Sequence, residues 1–136
     1  MAALSRLAVS FAAVALVSAA APACGDDGDA ERVRQTVRDF VQAADRRDAD
    51  RFCDELVSDD FLERSTGATG VRATRECKRQ LRAVGGLRLG LVRIRETEVA
   101  GDRARVSAVI EAQDRRRVRV LNLLEEDGDW KLTGGG

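Results

Sequence analysis

The sequence predicts an α+β domain in which three N-terminal helices pack on one face of a four-stranded antiparallel sheet. Two observations carry this. Between Ala30 and Val84 apolar residues recur at helical spacing, and from Leu87 to Leu132 they alternate with period two between turn signals. No internal repeat interrupts that order. The chain has 136 residues, 44% hydrophobic and 34% charged, which is one domain of ordinary globular composition.

The first helix is expected over residues 30–47, where Val33, Val37, Phe40, Val41 and Ala44 form one apolar stripe opposite Arg and Asp. Asp29 is its expected N-cap. A second short helix runs from Ala49 to Val57, capped by Asp48, with Phe52, Cys53, Leu56 and Val57 facing inward. Asp59-Asp60-Phe61-Leu62 reads as a further turn, and residues 65–70 as a loop rich in Gly, Ser and Thr. The third helix, Arg72 to Val84, carries Cys77, Leu81 and Val84 on one side and stops at Gly85-Gly86.

The strand region opens with Leu87, Leu89 and Leu91, then shifts phase to Val92 and Ile94, which predicts a bulge near Gly90. Ala100-Gly101-Asp102 turns the chain into a second strand, where Ala104, Val106, Ala108, Ile110 and Ala112 alternate. Asp114-Arg115-Arg116 reads as the next turn, with Val118, Val120 and Leu124 on the apolar phase of the third strand. Asp127-Gly128 is a hairpin signal ahead of Trp130 and Leu132.

Residues 1–23 contain one charge, Arg6, followed by the apolar run Leu7–Val17 and small residues ending in Ala21-Pro22-Ala23. Those are the three parts of a secretory signal. The apolar stretch ends at Pro22 and is short for a spanning helix, which needs about 20 apolar residues. Cleavage after Ala23 by ordinary signal peptidase would release a soluble secreted domain. Alternatively, Ala21-Pro22-Ala23-Cys24 resembles a lipobox, in which Cys24 is joined to diacylglycerol and anchors the chain to the outer face of the membrane. Cys24 stands at the junction with the Gly- and Asp-rich residues 25–29, so the expected organisation is a signal over 1–23, a flexible tether over 24–29, a domain over 30–133 and a disordered tail over 134–136.

Export places Cys53 and Cys77 in oxidising surroundings, where a disulfide between the second and third helices is the default. The other arrangement is two buried free thiols. Pairing them leaves Cys24 unpaired, as lipid attachment requires. The composition also excludes functions. With no His there is no imidazole base and no His-ligated metal, and neither a metal site nor a cofactor is expected. A net charge of zero argues against a nucleic-acid partner.

The order of several short motifs resembles the nuclear transport factor 2-like superfamily, which includes ketosteroid isomerase and scytalone dehydratase. These are the amphipathic first helix, Asp48-Ala49-Asp50 opening the second, Asp59-Asp60-Phe61, the hairpin from Val99 to Val106, and the closing segment Glu125 to Leu132. The paired Cys and the signal resemble exported actinobacterial lipoproteins of that superfamily. The resemblance implies a cone, a curved sheet wrapped around the helices, often with a pocket at its open end. Phe40, Phe61, Leu89 and Trp130 are the expected interior side chains, and Asn122 sits on the same phase. Enzymes of the superfamily place Tyr, His or paired acids inside the cone. This chain has neither Tyr nor His, so its candidate bases are Asp59, Asp60, Glu96, Glu98 and Glu111, each otherwise a solvated carboxylate. No residue is assigned as catalytic. Pairing residue 112 with 118 puts Val109, Leu121 and Leu123 on the outer face, rimmed by Arg105, Arg117 and Arg119, where related domains commonly dimerise. The functional expectation is a membrane-tethered binding module for a small apolar ligand or a protein partner, with a homodimer on the outer face. The alternatives are a carboxylate-dependent isomerase or dehydratase and a purely structural dimerising domain.

Overall fold

A computed structural model of the chain describes residues 26–86 and 88–136. The expected signal segment, Cys24 and Leu87 lie outside the described residues. The elements are α1 (Asp26–Arg46), α2 (Ala49–Arg51), which runs on as a π-helical turn (Phe52–Leu56), α3 (Asp59–Thr66) and α4 (Gly70–Ala83). After them come β1 (Leu89–Ala100), β2 (Arg103–Ala112), β3 (Arg115–Glu126) and β4 (Asp129–Gly135). The strands form an antiparallel meander in the order β1-β2-β3-β4. The α+β class is as expected. Among the described residues no helix is long and apolar enough to cross a membrane.

Helix α1 starts at Asp26, so residues 26–29, expected in the tether, form its first turn. Asp27 and Asp29 there complement the positive end of the helix dipole. Val33, Val37, Val41 and Ala44 are buried against the sheet, and the stripe accounts for the packing of α1 on β1. The supposed turn at Asp59 is a two-turn helix. Ser58, fully buried, caps α3 by accepting the Phe61 N–H at 3.1 Å, and its own N–H donates to the Leu132 carbonyl at 2.9 Å. A parallel bridge between Val57 and Leu132 covers part of the β4 edge. Gly67 ends α3 in the left-handed conformation (φ 71°) and donates its N–H to the Glu63 carbonyl.

In the sheet, β1 carries two bulges: one between Leu91 and Arg93, close to the expected position, and a second between Ile94 and Glu96 that was not expected. Each bulge bends and twists the strand, and together they give the sheet its curvature. Leu89, Leu91, Ile94, Thr97 and Val99 therefore share the inner face with Ala104, Val106, Ala108, Ile110 and Ala112. The Thr97 hydroxyl is buried there with no hydrogen-bond partner among the described residues, opposite Val106. Thr97→Val keeps the shape and removes that unmet group. It is expected to raise stability by about 1 kcal/mol, read from the urea midpoint at unchanged slope.

The largest correction concerns β3. The β2–β3 connection is a two-residue turn, Gln113-Asp114, with both residues at positive φ (50° and 63°), so Ala112 pairs with Arg115 and not with residue 118. A shift of odd length exchanges the two faces of a strand. Leu121 (opposite Val106) and Leu123 (opposite Ala104) consequently lie on the inner face and are buried, at 7% and 2% exposure, rather than forming an outer dimer face. Val118, Val120 and Asn122 take the outer face, where Val109 does lie, paired with Val118. The expected tail is also ordered: Gly134 and Gly135 belong to β4, and Gly136 exchanges hydrogen bonds with Val120 at 2.8 and 2.9 Å. A Cβ at Gly135 would lie 3.0 Å from Leu121 Cδ2 and from the Val120 carbonyl, so a larger residue there would have to push β4 and β3 apart by a few tenths of an ångström.

Candidate functional site

The helices and the inner face of the sheet meet around a core of Val33, Val37, Cys53, Val57, Leu62, Val106, Ala108, Leu123, Trp130 and Leu132. That core fills one end of the cone. At the other end the packing stops short and leaves a cleft of about 580 Å³. Its floor is Phe40 and Val41 of α1, Phe61 of α3, Leu89, Ile110, Leu121 and Leu132. Its wall is Ala112, Gln113 and the β3 residues Arg115, Arg117 and Arg119, closed below by Gly134, Gly135 and Gly136. Volume and lining match a small-molecule site: concave, mostly apolar, with a few polar groups on one side.

Each lining group has a local cause. Phe40 is on the buried stripe of α1 and is fixed by its ring contact with Phe52 (centroids 5.0 Å apart, planes tilted by 32°). Phe61 reaches the floor because the Ser58 cap and the Ser58–Leu132 hydrogen bond seat the first turn of α3 against β4. Leu89 is positioned by its amide N–H, which donates to Asp45 Oδ1 at 2.9 Å. The three arginines are there because the two-residue turn puts odd-numbered residues of β3 inward, opposite Ala112, Ile110 and Ala108.

Of the interior side chains expected from sequence, Phe40, Phe61 and Leu89 converge on the cleft. Trp130 and Asn122 do not. Trp130 is buried (3% exposed) in the closed end beside Leu132 and Leu123, and Asn122 is exposed on the outer face opposite Arg105. The candidate acids also lie elsewhere. Glu96 and Glu98 are opposite Ser107 and Arg105 on the outer face, and Glu111 pairs across the hairpin with Arg116 at 2.6 Å. Asp59 and Asp60 are exposed at the start of α3, where Asp60 meets Arg64 at 3.0 Å. The residues of the ion pairs that shift titration do not line the cleft either. Lys78 lies 2.7 Å from Asp54 and 2.9 Å from Asp50, which raises its pKa and lowers that of Asp50. Among the described residues no group of acids and cysteines converges in a way that could hold a metal ion. Sequence reasoning missed Ile110, Leu132 and the three inward arginines. The alternation Arg115-x-Arg117-x-Arg119 was the available signal once the turn was read as two residues.

Cys53 and Cys77 form a disulfide, with Cα atoms 6.1 Å apart, tying the π-helical turn to α4. A larger hollow of about 740 Å³ follows the α1–β1 seam, but Arg34, Arg38, Arg46, Arg93, Arg95 and Glu96 dominate its lining, and it has no aromatic floor.

No protein-family model matches the chain, and no curated protein matches its sequence. Solved structures do match in shape. A candidate dehydratase of the NTF2-like (nuclear transport factor 2-like) family from Streptomyces avermitilis is 18% identical, with a TM-score of 0.55 over 80% of this chain and 94% of that one. A protein with a cystatin-like fold from Caulobacter vibrioides is 14% identical, with a TM-score of 0.53 over 77% and 84%. A candidate scytalone dehydratase from Novosphingobium aromaticivorans is 18% identical, with a TM-score of 0.52 over 79% and 81%. At such identities the likeness establishes a shared fold, the NTF2-like or cystatin-like cone.

Proposed function

We propose that the chain is an exported, lipid-tethered binding module whose cone takes up a small, largely apolar molecule without transforming it. One observation carries the binding reading: Phe40, Phe61, Ile110, Leu121 and Leu132 surround an open cleft instead of packing it solid. Two of the fold neighbours are candidate dehydratases, and that chemistry needs a positioned general base. Among the described residues, the side chains lining this cleft include no carboxylate, imidazole or phenol, which favours binding over proton transfer. Filling the mouth tests this. The full chain should bind the neutral fluorophore phenylnaphthylamine saturably, and Ala112→Trp should abolish binding with the thermal midpoint unchanged. Absence of saturable binding by the wild-type chain would overturn the reading.

The tether rests on the Cys24 context and on compatible geometry. Helix α1 begins two residues after Cys24 and is about 30 Å long. Its first turns lie at the Gly128 end of the sheet, where Arg32 donates to the Gly128 carbonyl, and its last turn lies by Leu89 at the cleft end. A lipid on Cys24 would hold the closed end toward the membrane and leave the cleft open outward. The disulfide agrees with an oxidising, extracytoplasmic setting. Cys24→Ser is expected to move the protein from the membrane to the soluble exported fraction. Unchanged membrane retention would refute lipid attachment.

A further inference from the structure

The cleft has two unlike sides, and the difference identifies a ligand class. Arg115, Arg117 and Arg119 project from one strand face, successive side chains being about 7 Å apart along the strand. Like charges so placed repel, and the described ion pairs that engage arginines elsewhere leave these three out. Side-chain carboxylates near the mouth do not compensate them. Asp45 is engaged by the Leu89 N–H and is not part of the lining, and Glu111 is on the outer face with Arg116. The adjoining rim adds net charge of the same sign, since Arg46, Arg47 and Arg88 outnumber Asp45 around a second hollow at this end. The apolar floor below lowers the local dielectric, so an anion that displaces water here interacts more strongly than at an open surface.

We propose that the cleft selects small amphipathic anions: an apolar body over Phe40 and Phe61, and one carboxylate, sulfonate or phosphate head held by Arg117, Arg119 and Arg115. This rests on the reading of the cone as a ligand cleft and specifies its ligand. Guanidinium groups suit such heads because their planar N–H forks donate in pairs to two oxygens. Their methylene stems also extend the apolar floor up to the rim.

The test uses two fluorophores of nearly the same skeleton, anilinonaphthalene sulfonate and neutral phenylnaphthylamine, titrated into the full chain at fixed ionic strength. The sulfonate should bind at least about tenfold more tightly, equivalent to one charge-assisted contact. The double variant Arg117→Gln, Arg119→Gln should bring its affinity to that of the neutral probe while changing the latter less than about twofold. The outer-face variant Arg103→Gln, Arg105→Gln, which removes equal charge, should leave the ratio intact. Equal affinity of the two probes in the wild type overturns the anion proposal and leaves the cleft reading standing. So does a ratio that either variant changes alike. Saturable binding of neither probe removes both. Free dodecanoate and phosphatidylglycerol vesicles offer the same head-group chemistry from different sources. Displacement of the sulfonate by sub-micellar dodecanoate supports a free small ligand, and displacement by vesicles alone overturns it.

Discussion

Leu123→Arg is expected to leave the protein unfolded at 37 °C, whereas Val118→Arg, five residues earlier in the same strand, should shift stability by less than about 0.5 kcal/mol. Leu123 is 2% exposed, sits between Ala104 and Leu132 on the inner face, and belongs to the main core. Replacing it removes about 2–3 kcal/mol of apolar burial. It also puts an unpaired guanidinium among Val106, Trp130 and Leu132, at a further cost of several kcal/mol. The sum is comparable to the whole stability of a domain of this size, about 5–15 kcal/mol. Val118 is 49% exposed and points to the outer face beside Val109, where a long cationic side chain reaches water. Thermal unfolding followed by circular dichroism gives both values. The contrast is a direct test of register, because pairing 112 with 118 would reverse it: Val118 would then be the intolerant site and Leu123 the tolerant one.

That register is also where sequence reading stopped being sufficient. Element types were legible because the apolar period changes sharply near Leu89, and the helical stripe of Val33, Val37 and Val41 can be buried in only one way. The hairpin at Asp127-Gly128 was legible because both residues adopt positive φ (51° and 84°) and glycine advertises it. The equivalent turn at Gln113-Asp114 uses the same geometry without glycine, in a stretch where charged residues 114–117 look like loop. Reading that turn three residues too late reverses the parity of all of β3. One local error therefore moved Leu121 and Leu123 outward, Asn122 inward and three arginines away from the cleft. The sequence did contain the counter-evidence: Leu121 and Leu123 each offer one more methylene to bury than Val118 and Val120, worth about 0.8 kcal/mol apiece. Phe61 was placed correctly, although the Ser58 cap that seats it depends on a tertiary contact with Leu132, which no local pattern encodes.

Removing the disulfide should cost about 3.5 kcal/mol, the chain-entropy value for a loop with a sequence separation of 24, and lower the thermal midpoint by about 15 °C. The double variant Cys53→Ala, Cys77→Ala is the appropriate one, since either single variant leaves a thiol free to cross-link two chains. The loss should not be uniform. Helix α4 has 14 residues but buries only Ala73 and Cys77, and Val71 at its start is 76% exposed. Its ion pairs to the second helical segment, Lys78 with Asp54 and Asp50 and Arg82 with Asp50, are exposed and screened by salt, so they cannot replace the bond. Without it α4 has too little apolar surface to stay docked, whereas α1 and the sheet keep Val33, Val37, Val106 and Leu132. Hydrogen exchange by mass spectrometry should therefore show residues 70–83 opening first in the double variant or under reductant, with the β2 and β3 amides still protected. Equal loss of protection in α4 and the sheet would mean the bond supports the whole core, and unchanged exchange in α4 would mean it supports neither. Either result would refute the local role. If α4 is the part that opens, the fold is complete only where Cys53 and Cys77 can be oxidised. A copy kept in a reducing compartment would retain its sheet and its cleft but lose the helix that closes the far side of the core.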